Sequence, residues 1–217
     1  MSGHPCAGWF EPRPGLAASL LPQLETGDDG AHDLAHLRRV WHNALAIQAG
    51  DGGDPDVIGA AVLLHDCVAV EKSSPLRAQA SRLAAARASE VLAGLGWPQP
   101  RIAAVAHAIE AHSFSAGIEP RTLEARVLQD ADRLDAIGLV GVARCFYTAG
   151  RMGSALYHVA DPQAASRPLD DRAYALDHFG AKLMGLAGGF RTPTGRRLAA
   201  ERHARLERFL AEFQSEL

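Results

Sequence analysis

Apolar residues along the chain recur at spacings of three and four, which is the period of an amphipathic helix. The first such run is Leu34, Leu37, Val40, Trp41 and Leu45. Runs of the same kind occupy residues 57–64 and 83–95. Each run ends in turn-forming sequence: AGDGGDP, then SSP, then GLGWPQP. The pattern predicts three helices, each with one buried face.

Four further helices are predicted after these, at 101–111, 121–149, 171–186 and 194–217, the second of them long or kinked. Runs of the β-branched and aromatic residues typical of strands are nearly absent. Alanine, the best helix former, contributes 41 of the 217 residues. We therefore expect an all-α bundle of about seven helices. Residues 1–15 hold three prolines and three glycines, which favours an irregular N-terminal arm before a single helical domain at 16–217.

Charge narrows the classes of partner. The chain carries 22 Lys and Arg against 25 Asp and Glu, a net charge of -3. This balance lacks the broad basic field with which proteins hold nucleic acid. No apolar stretch is long enough to span a membrane, and the N-terminus lacks the pattern of an export signal. The three cysteines are far apart, as in a reducing compartment. We expect a cytoplasmic protein that binds neither nucleic acid nor membrane.

The ten histidines need a chemical explanation, because imidazole is a common metal ligand. His36, the adjacent pair His65 and Asp66, and Asp132 all lie on or at the end of predicted helices. Neighbouring helix residues point about 100° apart, so His65 and Asp66 can reach one ion only beside a helix end. The preceding sequence, AAVLL, places the pair at the edge of the core. A charged Asp is costly there unless a cation compensates it.

Two imidazoles and two carboxylates form a mixed nitrogen and oxygen site for a divalent metal ion. Such a set suits Mn, Co, Ni, Fe or Zn and, less well, Mg, and it leaves room for water. A divalent ion lowers the pKa of water toward ~7 and neutralises a phosphate oxygen. Water bound to such an ion can therefore attack phosphorus.

These motifs resemble the HD-domain metal-dependent phosphohydrolases. His36 stands in HDLAHLRRV, His65 and Asp66 form the HD dipeptide itself, and Asp132 stands in DADRLDA. The resemblance covers residues 33–149 as an HD core, followed by a C-terminal helical extension at 150–217. It is greatest to a small single-domain bacterial branch that includes nucleotide pyrophosphohydrolases. It implies hydrolysis of a phosphate ester or anhydride of a small molecule, with a nucleotide as the expected substrate, by a pyrophosphohydrolase or phosphatase.

The resemblance also suggests roles for neighbouring residues. His112 is a candidate second-metal ligand, phosphate contact or general acid. Arg39, one turn after His36, could hold a phosphate or be an exposed cation. Lys72 follows the HD pair by six residues and is a candidate phosphate contact. Together with Asp66, these three form the expected catalytic set.

Other polar residues near the motifs have more ordinary interpretations. His107 fits a partly buried structural role, and His178 is a candidate pocket residue of the C-terminal extension. Either Asp130 or Asp135 could orient a ligand histidine by a hydrogen bond, without contacting the ion. Asp132 is the expected ligand because it matches the family motif.

Two alternatives to catalysis stay open at this point. The chain could be a sensor that keeps the metal site without turnover, although all four ligand positions are intact. It could also hold a structural ion, although such sites usually use four Cys or His ligands. The apolar helix faces suit a homodimer as well as a monomer.

Overall fold

The fold is described from a computed structural model, which covers residues 4–24, 34–68, 70, 77–113 and 116–217. The α-helices within these residues are α1 (Pro14–Leu20), α2 (Leu34–Asp51), α3 (Pro55–Leu64), α4 (Ala80–Gly94), α5 (Gln99–His112), α6 (Leu123–Asp135), α7 (Gly138–Met152), α8 (Asp177–Ala181) and α9 (Pro193–Ser215). This part of the chain contains no β-strand, and Ala155 and Tyr174 form an isolated bridge. The prediction of an all-α fold is confirmed.

The helices differ from the predicted set at three places. Helix α1 forms where no helix was expected. The helix expected at 171–186 is reduced to the five-residue helix α8, followed by a 3₁₀ segment at Leu183–Gly189. The long helix expected at 121–149 is two helices, α6 and α7. This last difference has a local cause. Gly138 begins α7 with a φ of 72°, in the left-handed region that L side chains rarely adopt. A regular helix cannot pass through this backbone, so α6 ends at Asp135.

The chain divides into two compact units, Met1–Asp132 and Arg133–Leu217. All four predicted metal ligands belong to the first unit. The expectation of one domain at 16–217 stays a prediction.

Helix α3 lies in the core of the first unit, and every residue from Val57 to Leu64 is buried. Asp54 caps its N-terminus, where the carboxylate accepts hydrogen bonds from the backbone N–H groups of Asp56 and Val57. The helix packs against α1, α2 and α5. His65 and Asp66 directly follow its last residue and therefore lie at the end of a core helix.

Gly59 lets neighbouring helices approach α3 closely. A Cβ at this position would lie 2.9 Å from Leu16 Cδ2 on α1 and 3.1 Å from Trp41 Cη2 on α2. These distances leave no room for a side chain at position 59, so glycine allows α1 and α2 to pack closely against α3.

The segment before α1 packs on α2 through aromatic residues. Phe10 is fully buried, and its ring meets that of Trp41 edge-on with centroids 5.5 Å apart. The indole N–H of Trp41 donates to the backbone carbonyl of Glu11 at 2.8 Å. Trp9 stays exposed, with the guanidinium of Arg38 over its ring.

The second unit is built around an aromatic cluster. Phe146 of α7, Phe179 of α8, and Phe209 and Phe213 of α9 have neighbouring ring centroids between 5.6 and 6.1 Å apart. No helix in the described ranges is long and apolar enough to cross a bilayer.

A buried ion pair fixes the loop before α8. Two nitrogens of Arg167 donate to the carboxylate of Asp177 at 2.5 and 2.8 Å. These hydrogen bonds hold the pKa of Asp177 below its ordinary value. The pair ties the loop to α8 within the second unit.

Candidate metal centre

Helix ends and helix faces of the first unit bring the predicted ligands to one place. His36 lies on α2, Asp132 lies on α6, and His65 and Asp66 follow the last residue of α3. His112 is the last residue of α5.

The ligand atoms lie at separations suited to one metal ion. The Nε2 atoms of His36 and His65 are 3.3 Å apart. His65 Nε2 lies 3.4 Å from Asp66 Oδ2, and His36 Nε2 lies 3.6 Å from Asp132 Oδ1. One ligand atom each from His36, His65 and Asp66 lies within 4.8 Å of the other two. Ligands bonded to one ion at roughly 2.0–2.2 Å have comparable mutual separations.

Two histidines at the site are fixed by carbonyl groups of their own helices. His65 Nδ1 lies 2.8 Å from the carbonyl oxygen of Val62, and His112 Nδ1 lies 2.6 Å from that of Ile109. These carbonyls belong to the last turns of α3 and α5, where helices leave acceptors without partners. A carbonyl only accepts, so each Nδ1 carries the proton. Each neutral ring therefore keeps a lone pair on Nε2, as a metal ligand requires.

Burial divides the site into a floor and a rim. His36 and His65 are 1% and 0% exposed. The side chains of Asp66 and Asp132 are 39% and 31% exposed. The imidazoles form a buried floor and the carboxylates form a rim open to solvent. Imidazole nitrogens below adjacent carboxylate oxygens fit a divalent cation of the Mn, Fe, Co, Ni or Zn type.

His112 lies beside this cluster. Its Nε2 is 3.9 Å from Asp66 Oδ1, and its ring centroid is 5.0 Å from that of His65. Burial lowers the pKa of His112 and the His65 ring lowers it further, while Asp132 and Asp66 act in the opposite direction. The ring is therefore neutral near pH 7.

One of the two expected phosphate-binding cations lies among the described residues. Arg39 lies on α2, one turn after His36, and is partly exposed. Lys72 lies outside the described residues.

The neighbouring histidines and aspartates have other partners. The backbone N–H of Arg121 donates to His107 Nε2 at 3.0 Å. In the second unit, His178 Nδ1 lies 3.0 Å from Asp171 Oδ2. Asp135 is buried and accepts a 2.7 Å hydrogen bond from Arg144, and Asp130 is also buried. Asp132 Oδ1, by contrast, lies 3.6 Å from His36 Nε2.

The apolar pattern does not predict two buried amides near the site. Asn43 of α2 donates to the carbonyl of Ala131 at 2.9 Å, and Gln129 of α6 donates to the carbonyl of Ala111 at 2.8 Å. Spacing places them on the helix faces that carry the predicted ligands but does not show that they are buried. Asn43 lies two turns after His36, and Gln129 lies one turn before Asp132.

Comparison with known proteins decides the family. The sequence profile of the HD domain matches residues 33–137. The crystal structure of an HD-superfamily hydrolase from Bacillus thuringiensis superposes with a TM-score of 0.71 at 28% identity, covering 94% of this chain and 97% of that chain. The chain belongs to the HD-domain phosphohydrolase superfamily.

A Bacillus subtilis protein is similar to this HD-domain protein over most of both chains. YpgQ is 33% identical over 201 residues, which are 91% of this chain and 90% of YpgQ. The crystal structure of YpgQ in complex with ADP superposes with a TM-score of 0.70 at 30% identity, covering 97% of this chain and 94% of that chain. Membership of the HD superfamily supports metal-dependent phosphohydrolase activity in general.

Proposed function

We propose that this HD-domain protein is a metal-dependent hydrolase of nucleotides that cleaves a phosphate ester or anhydride bond. The observation that carries the proposal is the convergence of two buried imidazoles and two partly exposed carboxylates. This arrangement provides ligands on one side and access for a substrate on the other.

Four residues would hold the ion: His36, His65, Asp66 and Asp132. A divalent ion supplies Lewis acidity, which lowers the pKa of water and neutralises charge on a phosphate oxygen. The bond from His65 Nδ1 to the Val62 carbonyl aims the opposite nitrogen at the site. The two carboxylates contribute the negative charge that favours a divalent over a monovalent cation.

His112 is suited to receive a proton. Its Nδ1 proton is committed to the Ile109 carbonyl, and its lowered pKa keeps Nε2 unprotonated. In the proposed reaction, Nε2 accepts a proton from the attacking water. This assignment favours a proton acceptor over the general acid that the family resemblance also allows.

Positive side chains would bind the substrate's phosphates. Arg39 shares the face of α2 that carries His36, since three residues separate them. Lys72 belongs to the segment that follows Asp66 in sequence. Charge stabilisation of this kind provides most of the catalysis of phosphoryl transfer.

A nucleotide is the proposed substrate because YpgQ, which is similar along nearly its whole length, crystallises with ADP. The products are either a nucleoside monophosphate and pyrophosphate, or a dephosphorylated nucleotide and inorganic phosphate.

The proposal is tested by turnover of the metal-stripped protein. Mn²⁺, Co²⁺, Ni²⁺, Mg²⁺ or Zn²⁺ is added back with nucleoside mono-, di- and triphosphates or with p-nitrophenyl phosphate. Separation of the products then distinguishes phosphate from pyrophosphate release. We expect turnover of at least one nucleotide. Binding of Mn²⁺ without turnover of any substrate would instead support a sensor or a structural ion.

Two variants test the ligand assignment. Asp66→Ala and His65→Ala should abolish turnover and keep the helical circular dichroism signal. Glu90→Gln removes a well-exposed carboxylate from α4 and should retain the wild-type rate. Wild-type rates in either ligand variant would contradict the assignment.

A further inference from the structure

Two buried amide side chains connect the helices that carry the ligands. Asn43 joins α2 to α6, because its Nδ2 donates to the Ala131 carbonyl at 2.9 Å. Gln129 joins α6 to α5, because its Nε2 donates to the Ala111 carbonyl at 2.8 Å. Both donors belong to buried residues. Three helices of the first unit are thus linked in series by two hydrogen bonds.

Each hydrogen bond ends beside a residue of the metal centre. Ala131 immediately precedes Asp132, and Ala111 immediately precedes His112. The donors also share faces with site residues. Asn43 lies seven residues after His36, and Gln129 lies three residues before Asp132, spacings that place side chains on one side of a helix.

The acceptors are backbone carbonyl oxygens, so these hydrogen bonds constrain the distance between two helix backbones. A hydrogen bond from a short side chain to a carbonyl fixes both the separation and the rotation of two helices. Ala131 and Ala111 carry only a methyl group, so their carbonyls can be reached by a neighbouring side chain. A metal site is sensitive to such placement, because ligand distances must hold within about 0.2 Å.

Gln129 is not explained by stability alone. The Ala111 carbonyl fixes the orientation of the amide, because only the NH₂ group can face an acceptor. The other amide atom, Oε1, is buried, and no donor among the described residues reaches it. A buried acceptor without a donor destabilises the fold. An apolar side chain of the same length would remove this penalty but would also remove the hydrogen bond to α5.

We propose that Asn43 and Gln129 are positioning residues that set the spacing of His36, Asp132 and His112 before the metal binds. The inference rests on the proposed metal site. It assigns no contact with the ion to either amide. Asn43 acts on the spacing of His36 and Asp132 through its bond to Ala131. Gln129 ties α6 to α5 at Ala111, so its loss would displace Asp132, one turn further along α6, and with it the metal affinity.

The test compares Mn²⁺ affinity with stability in the metal-stripped protein. Asn43→Leu and Gln129→Met keep the approximate size of each side chain and remove the donor. We expect the Kd for Mn²⁺, measured by calorimetry, to rise 10-fold or more in each variant, the range found for groups that orient metal ligands from behind. Thermal unfolding without metal gives the stability of each variant.

A matched control separates positioning from general destabilisation. Ile102→Ala removes buried volume at the other end of α5, away from His112. It should lower the melting temperature and leave the Kd unchanged. If Asn43→Leu does not fold, Asn43→Ala removes the donor without adding volume and is measured in its place.

The outcomes distinguish this inference from the proposed function. A wild-type protein that binds none of Mn²⁺, Co²⁺, Ni²⁺, Mg²⁺ and Zn²⁺ would overturn both, and an ion other than Mn²⁺ that binds would replace Mn²⁺ in the measurement. Wild-type affinity in the Asn43 and Gln129 variants would overturn the inference alone. A Kd that weakens in proportion to lost stability, in Ile102→Ala as well, would also overturn it.

Discussion

At the candidate metal centre, the orientation of two imidazoles is set by their neighbours in the backbone. His65 and His112 each end a helix and bond to a carbonyl three residues earlier. The same local arrangement therefore orients two rings toward one point. Their difference is distance: His65 Nε2 lies 3.3 Å from His36 Nε2 and 3.4 Å from Asp66 Oδ2, whereas His112 Nε2 lies 3.9 Å from Asp66 Oδ1.

His112→Gln tests the proton-acceptor assignment. Glutamine keeps a polar side chain but cannot take up a proton near neutral pH. We expect kcat to fall by about 10²-fold or more, with the Kd for Mn²⁺ changed by less than a factor of three. Steady-state kinetics and calorimetry provide the two numbers. A Kd that weakens as much as kcat falls would make His112 a metal ligand instead.

The sequence predicted the residues of this site unevenly. His36, His65, Asp66 and Asp132 were predicted because acidic groups and histidines next to apolar runs imply a compensating ion, and Asp132 was chosen over its neighbours because it matches the HD-family motif. Asn43 and Gln129 were not, because a neutral amide in an amphipathic helix has the same pattern whether it faces solvent or a neighbouring helix. Only tertiary packing shows that both are buried.

Helices show which features a periodic pattern can and cannot predict. The existence of α2, α3, α4, α5 and α9 followed from apolar spacing and flanking turns. The break between α6 and α7 did not, because apolar spacing continues through Ile137 and the decisive feature is the φ of Gly138. A glycine in sequence does not reveal which backbone region it occupies.

Gly138→Ala should destabilise the protein by about 1–2 kcal/mol, the cost of a left-handed conformation with a side chain. Its Cβ would also lie 3.1 Å from Arg202 Cβ. Gly150→Ala is the control on the same helix, because nothing lies within 4 Å of its added Cβ. Its better helix propensity should stabilise by about 0.5–1 kcal/mol. Equal effects in urea denaturation would contradict the conformational argument.

The buried thiol of Cys145 on α7 should make the free energy of unfolding depend on pH in the alkaline range. Its thiol donates to the Ala175 carbonyl at 3.5 Å, and burial raises its pKa from 9.0 to about 11. Between pH 9 and 11 the unfolded chain loses this proton while the folded chain retains it. The free energy of unfolding therefore falls as pH rises through this window, and below pH 9 the group has no effect.

Cys145→Ala isolates this contribution. Between pH 8 and pH 10.5, the wild-type free energy of unfolding should fall by about 2 kcal/mol more than that of the variant. Urea denaturation at the two pH values measures the difference. Equal falls in the two proteins would show that the thiol is not responsible.

At the scale of the whole molecule, the candidate metal centre forms only in the folded first unit. Its proposed ligands come from α2, the end of α3 and α6, with nearly a hundred residues between His36 and Asp132. An unfolded chain cannot bring these groups together. We therefore expect metal binding and folding to be coupled.

Metal addition should raise the melting temperature for this reason. At a free Mn²⁺ concentration of 100 times the Kd, the expected stabilisation is about 2.7 kcal/mol. Calorimetric unfolding with Mn²⁺ and after chelation measures it, and Asp66→Ala should lose most of the shift. A melting temperature indifferent to Mn²⁺ in the wild-type protein would argue against a site formed on folding.

The buried position of Trp41 means that its fluorescence can report on the packing of the first unit. Its indole is buried against Phe10, is bonded to Glu11, and stands on the same helix as His36. Indole emission shifts to shorter wavelength in an apolar environment and to longer wavelength in water. Release of the segment around Phe10 would expose this ring, whereas Trp9 is already exposed and Trp97 is half-buried. The chain thus carries a buried intrinsic fluorophore on the helix that holds His36, a proposed metal ligand.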